Sequence, residues 1–245
     1  MLLGVRSQKQ GASQEAVKLL LKGIDKHSSW DWNYWRSQHL DVAVSLSGID
    51  LSNKALSGFN LSHVNFAGAN FKNAQLIGTK FKFANLTSAD LSSANLAGAD
   101  LTFADLRDAN LSSANLSRTT LRFARLHGAD LESANLESTD AIQSEWNDAN
   151  LNHTNIRWTK FCGAALIQVT AQYVNGELAD FTGAVLDLSD FSHANFTATK
   201  LIASSVQGTN FDESSLSVAQ IENLQLDQTM IVPASETQRV NNPIT

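Results

Sequence analysis

A period of five residues runs through this chain without a slip. Every fifth position from Leu46 to Ile231 gives 38 residues, of which 22 are Leu, 8 Phe and 3 Ile, with Val206 and Trp146. Only Ala141, Ala171 and Gly176 depart from this set of centres. Two residues before each centre stands a small residue: 18 Ala, 8 Thr, 4 Ser and 4 Val, with Ile49, Lys54, Phe59 and Leu224 as exceptions near the ends. An α-helix repeats a face every ~3.6 residues and a strand every ~2, so neither accommodates such a period. Two inward positions in five, small then large, fit a chain that turns a corner every five residues. Four sides then close a square coil of about 20 residues, and stacked coils pair backbone to backbone roughly 4.8 Å apart.

Glycine and proline support that geometry independently. Of the ten glycines from Gly48 onward, nine (48, 58, 68, 78, 98, 128, 163, 183 and 208) lie two residues after a centre, where a type II turn needs a positive φ. Proline is absent until Pro233, as expected of a backbone whose N–H groups are nearly all engaged. The expectation is an all-β solenoid, a β-helix of about 9–10 coils and roughly 45 Å long.

The units are purest between residues 84 and 118, where all seven begin Ala-(Asp/Asn)-Leu, as in Ala84-Asn85-Leu86 and Ala114-Asn115-Leu116. Over residues 44–231 the chain resembles the pentapeptide-repeat family, and the resemblance implies a right-handed quadrilateral β-helix. Leu86, Leu91, Leu96, Leu101, Leu106, Leu111 and Leu116 would form the middle of its core. The expected division is a leader and helical cap over 1–43, the repeat array over 44–232 and a tail over 233–245.

Residues 20 apart should be vertical neighbours. One column then reads Asn95, Asn115, Asn135, Asn155, Asn175, Asn195, an amide ladder. A second alternates Asp50, Asn70, Asp90, Asn110, Asp130, Asn150, which separates like charges. A third, Lys80, Asp100, Thr120, Asp140, Lys160, Asp180, Lys200, mostly alternates in sign.

The open ends of such a coil need covering. Ser13-Gln14-Glu15 can start a helix with Ala16, Val17, Leu20, Leu21 and Ile24 on one face, and a second short helix from about Ser29 carries Trp30, Trp32, Tyr34 and Trp35. Residues 13–40 read as a helical cap, and the WDWNYWR segment resembles the leader before many bacterial arrays of this family. At the C-terminal end, either the polar tail folds over the last coil or two chains meet end to end. The resemblance points to a homodimer through that end.

The chain carries no phosphate loop, HExxH, CxxC or GxSxG motif, so no enzyme activity, cofactor or metal is expected. The column His153, Tyr173, His193, Glu213 is the most suggestive cluster, but its histidines are two coils apart, about 9–10 Å, too far for one zinc ion. Cys162 reads as an ordinary surface thiol, and a single cysteine excludes an internal disulfide. The best interaction candidate is Phe83, Phe103 and Phe123, an outward aromatic stack on three successive corners with Lys82 and Arg122 beside it. A self-stacking structural ladder, or contact with a terminal segment, is equally economical. Trp158 with Leu178 makes a smaller patch on another corner.

Two functional readings follow. The first is an interaction or scaffold protein offering rigid faces to a protein partner. The second, suggested by resemblance to quinolone-resistance members of the family, is a DNA mimic that binds DNA gyrase. Residues 44–231 carry 19 Asp/Glu and 11 Lys/Arg, a net −8, against about 26 negative charges for duplex DNA of that length. The array also lacks the loops that interrupt several gyrase-protecting members, so the scaffold reading leads. A net charge of −6 disfavours direct nucleic-acid binding. No membrane span or signal peptide is evident, and a cytoplasmic location is expected.

Overall fold

Each backbone N–H in a five-residue unit finds a different acceptor, and together these bonds build the coil. In the unit centred on Leu86, the centre donates upward to Asp105 O at 2.7 Å. The amide of Thr87 is taken by the side chain of the residue before the centre, Asn85 Oδ1, at 3.1 Å. Ser88 again donates upward, to Arg107 O, and Ala89 closes the turn onto Leu86 O. Asp90 donates downward to Ala69 O. No donor is left over in this unit, and a frame that engages its amides in this way has little room for proline. It also explains Asn and Asp before the centre: their short side chains reach an N–H two residues on and make an Asx turn.

The computed structural model describes residues 2–224, with side chains from residue 14 onward. Within it, parallel bridges join residues 20 apart, from Val44↔Val64 in the pair β1 (Val44–Ser45) and β2 (Val64–Asn65) to Lys200↔Gln220. The molecule is therefore a four-sided β-helix of 20-residue coils. Every corner from Gly48 to Asn223 has a positive φ, between +48° and +73°. Inside, the centres are buried, Leu86 to Leu116 fully so. Threonines at the small position satisfy their buried hydroxyls on a centre carbonyl of the coil below, as Thr119 Oγ1 does on Leu96 O at 3.0 Å.

The three irregular centres are volume trades. Ala141 and Ala171 lie beneath Phe161 and Phe191, and Gly176 beneath Phe196. A Cβ on Gly176 would lie 2.5 Å from two Phe196 ring carbons. Trp146 fills the space beside Ala141 and donates its indole N–H to Ser144 Oγ at 2.6 Å. The core holds two aromatic clusters, one around Phe66, Phe71 and Phe81 over ordinary Leu centres and one running from Phe161 to Phe211 over the irregular ones.

Helices α1 (Leu2–Asp25) and α2 (Trp30–Gln38) close the lower end. The helix α1 begins eleven residues earlier than the Ser13 signal suggests, because residues 2–12 hold no proline and mostly good helix formers. Ala16, Leu20 and Ile24 are buried, whereas Leu21, expected on that face, is 38% exposed. α2 acts as the missing rung. Trp32 Nε1 donates to Asn60 O (2.7 Å), Asn33 exchanges bonds with Gly58 O (2.9 Å) and Asn60 N (2.7 Å), and Arg36 Nη2 donates to Ser62 O (2.8 Å). Of these, Asn60 O, Asn60 N and Ser62 O are backbone groups that a preceding coil would have paired. Arg36 is fully buried and also reaches Val42 O, and burial pulls its pKa down while Asp41 pushes it up. Of the four aromatics expected in the cap, Trp32 is buried and Trp35 partly buried, while Trp30 and Tyr34 stay exposed. No helix among the described residues is long and apolar enough to cross a membrane. The C-terminal tail and the dimer contact expected there lie outside the described residues.

Candidate interaction surface

The corner positions are where the array spends residues it does not need for its frame. A corner requires only a positive φ, which glycine supplies most cheaply, whereas a side chain there carries a steric cost. Gly78 and Gly98 fill this role on one corner, and Ser93 and Ser113 on another. Phe83, Phe103 and Phe123 instead hold φ values of 56–59°, a conformation costing L-residues about 1–2 kcal/mol each. Their rings stack in parallel at 4.9 and 4.7 Å with interplanar angles of 5° and 8°. Such contacts return about 0.5–1.5 kcal/mol per pair, so the two ring pairs offset only part of the backbone cost of the three corners, and stability does not account for the ladder. The rings stay 50%, 47% and 38% exposed.

His63 extends the stack downward, 4.8 Å from Phe83 and nearly parallel to it. His63 was not among the expected members of the ridge, although it lies 20 residues before Phe83 and the same column rule reaches it. Burial, and then Arg36, hold its imidazole below the usual histidine range.

Arg122, singled out beside the ladder, donates from Nε to Asp140 one coil up at 2.7 Å, and Lys82 reaches Asp100 in the same way at 3.1 Å. On the other side of the ridge Arg107 pairs with Asp105 at 2.7 Å, and Arg125 sits between Asp105 (3.8 Å) and Glu145 (3.5 Å). These pairs are half-exposed and contribute little to stability. Their carboxylates also serve the frame. Asp100 Oδ1 accepts from the Thr102 amide and hydroxyl, and Asp105 Oδ1 from the Arg107 amide and side chain. Partial burial pushes both carboxyls up, but these bonds and the adjacent cations hold them below the usual carboxylate range.

The column His153, Tyr173, His193 forms a second aromatic stack, with centroids 5.1 and 4.5 Å apart. Tyr173 lies between the two imidazoles, and His193 Nδ1 contacts Glu213 at 2.9 Å. No group of acidic, histidine or cysteine side chains among the described residues is arranged to hold a metal ion. Cys162 is half-buried against Asp180 O, and burial, with Asp180 nearby, pushes its thiol up. At the remaining patch, Arg157 lies 4.6 Å over the Trp158 ring, and Trp158 and Leu178 are 44% and 41% exposed.

Solved structures similar to this chain include HetL, a pentapeptide repeat protein involved in heterocyst differentiation regulation in the cyanobacterium Nostoc sp. strain PCC 7120. It is 25% identical over 78% of this chain and 90% of its own, with a TM-score of 0.49. A trypsin-treated form of QnrB1, a plasmid-mediated fluoroquinolone resistance protein, is 20% identical over 76% of this chain and 92% of its own (TM-score 0.47). A pentapeptide repeat protein of the Arabidopsis thaliana thylakoid lumen is 33% identical over 44% of this chain and 68% of its own (TM-score 0.31). No curated protein matches the chain. The model of pentapeptide repeats matches in eight copies over residues 45–82, 84–122, 99–137, 129–166 and 163–197, more than half the chain. With the 20-residue coil and a positive-φ corner every five residues, that match places the chain in the pentapeptide-repeat family.

Proposed function

We propose that this protein is a non-enzymatic interaction or scaffold protein whose rigid β-helix presents the Phe83–Phe103–Phe123 ridge to a partner protein. The observation that carries this reading is the placement of three large apolar rings on corners where the frame asks only for a positive φ. A contiguous exposed apolar feature of this kind, rimmed by polar groups, is typical of protein interaction sites. The frame behind it suits the task. Each rung is held by three inter-coil bonds per side, so the ridge needs no ordering when a partner arrives, and the entropic cost of binding falls mostly on the partner.

The DNA-mimic alternative gains no support from the surface charges. Asp100, Asp105, Asp140 and Asp180 each lie within 4 Å of a lysine or arginine of the same chain. The other Asp column is interrupted by Asn70, Asn110 and Asn150, so neither column forms a continuous phosphate-like row.

A photo-crosslinking amino acid at position 103, compared with one at position 113, tests the proposal in cells that make the protein. A discrete adduct at 103 and none at 113 is expected. Equal yields at both positions, or adducts at neither, would remove the ridge as the binding surface.

A further inference from the structure

The corner that bears the ridge changes character halfway up the coil. Bridges between residues 20 apart set seven successive coils along it, from Lys80 to Lys200. The three lower coils place Phe83, Phe103 and Phe123 at the corner, and the three upper ones place Gly163, Gly183 and Ala203 there, with Gln143 between. A methyl group added to Gly183 would have nothing within 4 Å of it. One half of the corner therefore stands proud by three rings, and the other half is bare.

The bare half is also uncharged. The two outward positions that flank the corner hold Cys162, Ala165, Val185 and Ile202, all half-buried, with Thr182 and Ser205. A twofold rotation about the level of Gln143 lays Phe83, Phe103 and Phe123 of one chain opposite Ala203, Gly183 and Gly163 of another. The corner thus fits itself, knob to recess, as an isologous contact requires. Charge permits the match. Lys82, Asp105, Arg122 and Arg125, which flank the rings, come opposite Ile202, Val185, Cys162 and Ala165, so the long cationic stems lie along apolar surface. Glu145 meets its own copy at the axis, but Arg125 (3.5 Å) and His127 (2.7 Å) already hold it. The other like pairs, Asp100 with Asp180 and Lys80 with Lys200, lie three residues from the corner, where two rods touching at a corner diverge.

Resting on the interaction reading above, we infer that the partner of the ridge is a second copy of this chain, docked antiparallel along this corner so that each ridge seats in the bare half of the other. The contact runs over six coil-to-coil rises of roughly 4.8 Å, about 29 Å in all, and is about three residues or ~10 Å wide. That is ~300 Å² per chain before side-chain relief, well below the ~800 Å² per partner of a stable complex. The dimer is therefore weak and reversible, and it forms as concentration rises. It responds little to salt, because the charges beside the ridge are paired within each chain.

The test is sedimentation velocity on the full chain from low micromolar to near-millimolar concentration. The sedimentation coefficient should rise with concentration, equally at low and high salt. Phe103→Ser, which removes a knob, and Gly183→Leu, which fills the recess, should each weaken association roughly tenfold or more with an unchanged circular dichroism spectrum. Leucine is compatible with a corner, since Leu178 and Leu188 occupy corners of their own. Ser113→Leu, on the opposite corner, should change nothing. In a Cys162→Ser background, Gln143→Cys sits at the twofold axis and should join two chains through a short bismaleimide, whereas Ser113→Cys should not.

A monomer at every concentration, a dimer indifferent to Gly183→Leu and Phe103→Ser, or equal joining through positions 113 and 143 would each overturn the inference. The crosslinker at position 103 separates it from the interaction reading. An adduct of twice the chain mass supports both. An adduct with a different protein, from a chain that stays monomeric when purified, sinks this inference and leaves the interaction reading standing. With no adduct and no dimer, both fall.

Discussion

Replacing Gly176 by alanine tests the volume trade that lets aromatic rings stack inside the coil. The new methyl carbon would lie 2.5 Å from Cδ1 and Cε1 of Phe196, where carbon atoms ordinarily rest about 3.5–4.0 Å apart. Phe196 cannot retreat by that extra ångström. It is fully buried and packed against Phe181 (5.8 Å), Phe191 (5.3 Å) and Phe211 (5.8 Å). The overlap should therefore appear as an overpacking cost of about 1–3 kcal/mol. Gly176 is not at a corner and has no positive φ, so backbone strain adds nothing to that figure. Phe196→Leu alone should also destabilise, since it empties part of the space the glycine provides. In the double variant the two errors cancel in part, and a coupling of at least ~1 kcal/mol is expected from urea denaturation followed by far-ultraviolet circular dichroism. Strict additivity would refute the argument, because it would mean that Gly176 is not there to admit Phe196.

Leu111→Lys places an ammonium among fully buried side chains with no partner, and the cooperative melt should be lost; an unchanged melting curve would contradict the core assignment. Arg36→Met removes the charge-assisted bonds to Ser62 O and Val42 O, costing about 1.5–3 kcal/mol at the cap. Hydrogen exchange should quicken in α1 and α2 and in the first coil before any change near Leu151, and uniform quickening would argue against a separate capping role. Asp100, Asp105, Asp180 and Asp190 have carboxyls held below their usual range, because hydrogen bonds from the amides two residues on and from nearby side chains outweigh the upward push of partial burial. A depressed folded pKa gives stability that is present above the unfolded value of ~3.9 and is lost as pH falls through the folded value. Changing all four to Asn keeps the Oδ1 acceptor, so the melting temperature should become flatter between pH 7 and pH 3. An unaltered acid slope would show that other groups carry it.

The period of five was enough to reach the coil, because each turn repeats the same two inward positions and the same positive-φ corner. The ladders were legible for the same reason: once the coil is 20 residues, vertical neighbours are a matter of counting. Arg36 was not legible. In sequence it looks like a solvated charge at the end of an aromatic run, and only the unpaired edge of the first coil turns it into a buried donor. Leu21 was misplaced because α1 meets the array along a narrow strip through Ala16, Leu20 and Ile24 rather than along the whole apolar arc. The irregular centres Ala141, Ala171 and Gly176 read as breaks in the pattern, whereas in three dimensions each is the counterpart of an aromatic one coil above.

What the repeat constrains and what it leaves free also determines where function can be written. Substitution at the centre or the small position disturbs the core, and substitution before the centre disturbs the Asx turn. The corner tolerates any side chain that can bear a positive φ, and the position after the centre any side chain whose amide can be satisfied. Those two positions are therefore where recognition can be written most freely. On the coils from Lys80 to Gly128 they hold Phe83, Phe103, Phe123, Lys82, Arg107 and Arg122, whereas the opposite sides of the same coils hold mainly Ser, Gly and Glu. A frame that is symmetric in its hydrogen bonds thus carries an asymmetric surface. Changing the ridge should alter binding and leave the coil intact, and Phe83→Ser, Phe103→Ser and Phe123→Ser together separate these two properties.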